Sequence, residues 1–152
     1  MNPTLILLYK ITDMIHEVIT TSIGGIAFKS LVDQHEIILD AHAEFGGTDK
    51  GPTPKPLLLT SLSGCTGMDV VSLLKKMRIT VEDFQIKVTG TLTDEHPKHY
   101  SHIHLVYTFT GSSLDKTKIE KAVNMSQERY CGVSYMLSKA AKLDYEVVIK
   151  EA

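Results

Sequence analysis

Two cysteines, Cys65 and Cys131, are the residues of this chain best suited to covalent chemistry. A thiolate is a strong nucleophile, and a second thiol within reach can trap an oxidised sulfur as a disulfide. Cys65 sits between Gly64 and Gly67 in an apolar stretch, where leucine or alanine would propagate a helix better. A cysteine behaving as a small core hydrophobe is the plain alternative. Asp69, one turn later on the same face, opposes thiolate formation at Cys65. Cys131 follows Tyr130 near a proposed helix start, where backbone N–H groups favour a thiolate, and it too has the plain reading of a buried cysteine. The two are 66 positions apart, and sequence alone does not bring them together.

Four histidines, His96, His99, His102 and His104, resemble a metal cluster at first sight. Alternation puts His102 and His104 on one strand face, but His96 and His99 flank a turn. A solvated strand face is the simpler reading, and no metal or cofactor is expected. No dinucleotide-binding, P-loop, nucleophile-elbow or H-E-x-x-H pattern is present.

The element that must position Cys65 is the stretch Pro52–Arg78. Prolines open it and Lys75, Lys76 and Arg78 close it, as suits the two ends of a helix. It reads as one long helix of about six turns. Its first half is apolar on nearly every side, the pattern of a buried helix. Ser61, Ser63, Gly64 and Gly67 would let another backbone approach it closely.

Around that helix, Ile15–Thr21 and Ile26–Val32 read as a hairpin across Gly24-Gly25, with a third strand at Ile37–Leu39 and a loop over Ala43–Thr53. Phe84–Leu92 and Ser101–Phe109 alternate with period two and read as an antiparallel hairpin, apolar on one face. Leu114–Met125 reads as a helix capped by Ser113, and Gln127–Lys142 as a second one capped by Ser126 and carrying Cys131. Tyr145–Ile149 reads as a last strand.

The chain has 152 residues, a formal net charge of −2 and 22% charged residues. That composition fits one α+β domain over residues 1–152, with 1–14 a tail or Met14 an alternative start. The near-balanced charge gives no electrostatic case for nucleic acid or an acidic membrane surface. No signal peptide is read at the start and no run reaches membrane-spanning length, so the expected compartment is the cytoplasm.

The segments Gly51–Val71 (GPTPKPLLLTSLSGCTGMDVV) and Met125–Ala140 (MSQERYCGVSYMLSKA), with the order of elements around them, resemble the OsmC/Ohr superfamily. These are the osmotically induced protein C and organic hydroperoxide resistance proteins, and the likeness is to the OsmC-like branch. The resemblance implies an OsmC-like fold: antiparallel sheets around a long buried central helix in an intertwined homodimer. It implies that Cys65 attacks the O–O bond of an organic or lipid hydroperoxide and that Cys131 resolves the sulfenic acid. An external dithiol reductant would then reopen the disulfide. The peroxidase branches carry a glutamate ten positions before the first cysteine, where this chain has Lys55. They also use an arginine from the N-terminal half, whereas this chain has only Arg78 and Arg129. Lys55 is the residue that could supply a thiolate-stabilising charge, its plain alternative being a solvent-facing lysine. The expected function is therefore a thiol-dependent peroxidase. The alternative is a catalytically weakened dimer that binds a small apolar ligand or acts as a thiol stress sensor.

Overall fold

Ile103, Leu105, Tyr107 and Phe109 alternate along one strand, and in the computed structural model all four side chains are fully buried. The structure describes residues 15–152, so the expected tail or alternative start at 1–14 lies outside the described residues. The chain forms two compact units, divided between Pro56 and Leu57.

The N-terminal unit carries a three-stranded antiparallel sheet, β1 (Val18–Ser22), β2 (Phe28–Val32) and β3 (His35–Leu39). Gly24 and Gly25 both have positive φ, so the expected hairpin forms where glycine removes the steric cost. Asp33 and Gln34 also have positive φ in the tight turn between β2 and β3. A 3-10 turn, Ala43–Phe45, lies in the loop that follows. That loop is held by Asp40, whose carboxylate accepts the Ala41, Thr48 and Lys50 N–H groups and the Thr48 hydroxyl at 2.8–3.1 Å. These donors hold the Asp40 carboxyl at about 2, Lys50 contributing most.

Helix α1 (Pro54–Lys76) begins at the end of this unit and continues into the next. Among the described residues it is one helix long and apolar enough to cross a membrane by length and composition. Its buried positions, Leu62, Thr66, Val70, Leu73 and Leu74, recur at helical spacing and join the core of the C-terminal unit. The opposite face is open in the single chain: Met68 is 75% exposed, Val71 54% and Leu58 46%.

The C-terminal unit adds β4 (Asp83–Leu92), β5 (Tyr100–Thr110), α2 (Lys116–Met125), a π-helical turn (Ser126–Tyr130), α3 (Gly132–Leu137) and β6 (Lys142–Lys150). The sheet order is β4-β5-β6. β4 pairs antiparallel with β5 as expected, but β6 pairs parallel, so this sheet is mixed and not wholly antiparallel. The physical reason is the connection: the chain returns through helices between β5 and β6, a crossover that delivers a parallel strand.

Two caps differ from expectation. Asp115, not Ser113, caps α2, its side chain accepting the Lys118 N–H at 3.1 Å. The expected helix over Gln127–Lys142 is broken at Cys131, whose backbone is extended (φ −74°, ψ 97°). Ser126 is not a cap there. It is fully buried in helical geometry and its hydroxyl is engaged with other side chains.

Candidate active site

Cys65 lies half-buried on α1, on a turn bounded by the buried residues Leu62 and Thr66. Cys131 is buried at the junction of the π-helical turn and α3. The extended backbone at Cys131 makes it the N-cap of α3. Its Sγ accepts the Ser134 N–H at 3.3 Å, and its own N–H donates to the Ser126 carbonyl at 2.8 Å. A cysteine thus takes a place usually held by serine or aspartate.

This break in the helix brings the two thiols together. The Sγ atoms of Cys65 and Cys131 and a carboxylate oxygen of Asp69 all lie within 4.8 Å of one another. Both cysteines are free thiols in the structure. The Cys65 thiol is pushed above its ordinary value, first by burial and then by its contact with the Cys131 thiol. The Val133 N–H opposes that rise, and the Asp69 charge adds to it. Two sulfurs and a carboxylate are also a donor set for a soft or borderline cation.

A buried polar relay holds the π-helical turn in place. Gln127 Nε2 donates to the Tyr107 hydroxyl and to Thr66 Oγ1. Tyr107 and Thr66 are 2.8 Å apart, Thr66 and Ser126 2.9 Å, and Ser126 donates to Asp69 Oδ2 at 3.1 Å. Since Tyr107 accepts from Gln127 and Ser126 donates to Asp69, the protons run in one direction, from Gln127 through Tyr107, Thr66 and Ser126 to Asp69. Burial pushes the Tyr107 phenol up to about 12, so it stays a neutral donor. The relay fixes Ser126, whose carbonyl in turn accepts the Cys131 N–H.

The OsmC-like protein family model matches residues 47–146, a span holding both cysteines and every member of the relay. The chain belongs to the OsmC-like family. Protein YhfA of Escherichia coli strain K12 is 38% identical over 116 residues, covering 75% of this chain and 84% of that protein. The crystal structure of a hypothetical protein from Aquifex aeolicus VF5 superposes with a TM-score of 0.76 at 33% identity, over 90% of this chain and 98% of that one. An organic hydroperoxide resistance protein OsmC from Legionella pneumophila shares the fold with a TM-score of 0.67 at 15% identity, over 88% of this chain and 96% of that one.

In this OsmC-like chain, Lys55 stands in the first turn of α1 and belongs to the N-terminal unit, while both cysteines belong to the C-terminal one. Of the four histidines, the structure gathers His102 and His104 around Asp144 of β6, a residue that sequence reading passed over. Thr66, Tyr107 and Gln127 carry no motif in their spacing, and Ser126 reads in sequence only as a helix cap. The only local hint was polar residues at apolar-phase positions of a strand and a helix.

Proposed function

We propose that this OsmC-like protein reduces organic or lipid hydroperoxides with Cys65 as peroxidatic and Cys131 as resolving cysteine. The observation that carries the reading is the approach of the two sulfurs to within 4.8 Å inside one chain. In the first step the Cys65 thiolate attacks the terminal oxygen of ROOH. An S–O bond forms, the O–O bond breaks, and the alkoxide leaves and takes up a proton as the alcohol. Cys131 then attacks the Cys65 sulfenic sulfur, expelling water once the leaving hydroxide is protonated, and the disulfide forms. An external dithiol supplies two electrons and two protons to restore both thiols. The sulfurs must close to about 2.05 Å for the disulfide.

The raised Cys65 thiol sets a cost, since little thiolate is present at neutral pH. The resemblance alone offers Lys55, ten positions before Cys65, as a source of thiolate-stabilising charge. The cycle suits a reducing compartment such as the cytoplasm. The functional assembly in this reading is a homodimer. The exposed face of α1 supports it: an open groove of about 730 Å3, lined by Gly64, Gly67, Met68, Val71, Phe84 and Ile86 among others, is the size and chemistry a second copy of the helix would cover. The second reading, a weakened dimer that binds a small apolar ligand or senses oxidation once, is favoured by the raised Cys65 thiol.

The test is to treat the reduced protein with one equivalent of an organic hydroperoxide and count thiols by mass spectrometry. The peroxidase reading expects loss of both thiols, a two-hydrogen mass decrease and a Cys65–Cys131 bridge, with turnover sustained by a dithiol. Two surviving thiols would overturn it in favour of the binding module. A single oxidation without turnover that changes the protein's partner would favour the sensor.

A further inference from the structure

We propose that the outer face of the β4-β5-β6 sheet carries a binding site for a borderline divalent cation of the Zn2+ class, with His102, His104 and Asp144 as its ligands. His102 and His104 are two apart on β5 and so share a face, the one opposite the buried Ile103, Leu105 and Tyr107. The parallel register sets Asp144 of β6 directly beside His104. Its carboxylate spans both rings, with Oδ2 2.9 Å from His102 Nε2 and Oδ1 2.5 Å from His104 Nδ1. One ligand atom from each of the three residues falls within a 4.8 Å cluster.

In a tetrahedral zinc site with bonds near 2.0–2.1 Å, neighbouring ligand atoms stand about 3.3 Å apart. The observed hydrogen-bonded separations need only open by less than about 1 Å for an ion to take the place of the two bridging protons. Two imidazoles and one carboxylate suit zinc, copper, nickel or cobalt and not calcium or magnesium, which prefer oxygen alone. On the far side of His104, its Nε2 lies 3.8 Å from Glu146 Oε1, beyond hydrogen-bond distance but a second negative charge beside the cluster. The other charged neighbour is Lys142, whose ammonium lies 3.3 Å from Asp144 Oδ2. Its side chain is 73% exposed and can turn into solvent when a cation arrives. Half-exposure of the ligands makes this an exchangeable surface site with water completing the coordination. It shares no residue with the thiol pair and does not rest on the peroxidase reading.

The competing thiols are removed first, so the titration uses untagged full-length protein carrying Cys65→Ser and Cys131→Ser. Zn2+ is added and followed by calorimetry. One equivalent per chain is expected. His102→Gln, His104→Gln or Asp144→Asn, each added to that background, should weaken binding about tenfold or more, at least the scale of losing a partner that only orients a ligand. Mg2+ should give no binding isotherm. These are surface positions, and circular dichroism of each variant reports whether the sheet is kept. Absence of stoichiometric Zn2+ binding, or binding untouched in both His104→Gln and Asp144→Asn, overturns the proposal and leaves the cluster as ion pairs alone.

Discussion

Cys131 caps the helix it starts: its Sγ accepts the Ser134 N–H at 3.3 Å, and this same cap holds the sulfur toward Cys65. Structure and chemistry are therefore separable at one residue. Serine accepts the same N–H, alanine does not. Cys131→Ser should keep the stability of the native protein, whereas Cys131→Ala should lose about 1 kcal/mol, the scale of an N-cap deletion. Chemical denaturation measures this. Both variants should equally abolish the disulfide and leave Cys65 to over-oxidise to the sulfinic acid under excess hydroperoxide, read as a mass gain of two oxygens. Equal stability of the two would show that the cap carries no weight.

The Cys65 thiol is raised mainly by burial, then by the neighbouring thiol, with the Asp69 anion adding to the effect. Its reactivity toward a neutral alkylating agent should therefore still be climbing at pH values where an ordinary thiol has levelled off. Asp69→Asn keeps an acceptor for Ser126 and removes the charge. The pH–rate curve should move to lower pH and the rate at neutral pH should rise. An unmoved curve would mean that Asp69 is screened from the sulfur. Lys55→Ala supplies the opposite sign: if Lys55 stabilises the thiolate, the curve moves to higher pH.

The relay from Gln127 to Asp69 passes through Thr66, which is fully buried. Thr66→Val preserves the shape of the side chain but leaves the Tyr107 hydroxyl without its acceptor and the Ser126 hydroxyl without its donor. A cost of about 1–3 kcal/mol is expected in urea denaturation. Because Ser126 carries the carbonyl that accepts the Cys131 N–H, the loosened turn should also slow disulfide closure. The readout is the ratio of sulfinic acid to disulfide after a fixed dose of hydroperoxide. An unchanged ratio at reduced stability would make the relay a matter of folding only.

How far these features could be read in sequence follows from how local their causes are. The period-two alternation of Ile103 to Phe109 and the apolar spacing of Leu62 to Leu74 are local, and both elements form as read. The parallel pairing of β6 is a property of a long connection, and no residue within Tyr145–Ile149 encodes it. The break at Cys131 was missed for a related reason. Ser126 looks like a cap until Thr66 and Asp69, about 60 positions earlier, claim its hydroxyl. Asp144 was passed over because its partners come from the neighbouring strand. Of the site itself, sequence singled out both cysteines, and only the fold could bring them together.

Acid should act on the N-terminal unit through Asp40. Its folded carboxyl sits at about 2, well below the ordinary aspartate range, because backbone and hydroxyl donors favour the charged form. A depressed folded value contributes stability that is complete above about pH 4 and is lost as the pH falls toward 2. The amides of Thr48 and Lys50 should thus lose hydrogen-exchange protection over that window. Asp40→Asn retains one acceptor oxygen and no charge, so its protection should be weaker at neutral pH and flat across the window. Protection that falls with acid in the variant as it does in the native protein would place the acid sensitivity elsewhere.

Gly64 separates a single-chain requirement from an assembly requirement. Among the described residues a Cβ built at Gly64 meets nothing within 4 Å, so they give no steric reason for glycine in the middle of α1. Replacing it by alanine in an isolated helix should stabilise by about 0.5–1 kcal/mol. The groove beside it is open and apolar, with Met68 75% exposed. If the α1 helices of two copies pack there, glycine is what permits their backbones to approach. Gly64→Leu should then turn a dimer into a monomer by light scattering, while the circular dichroism spectrum keeps its helix content. Gly67 is the internal control, since a Cβ there meets Ile86 Cδ1 at 3.2 Å within the same chain. Gly67→Ala sets this contact, which a few tenths of an ångström of Ile86 side-chain movement relieves, against the helix propensity gained, so its stability change should be small whatever the oligomeric state. A native protein that is monomeric at micromolar concentration, or a Gly64→Leu variant that stays dimeric, would move the interface off this face of α1.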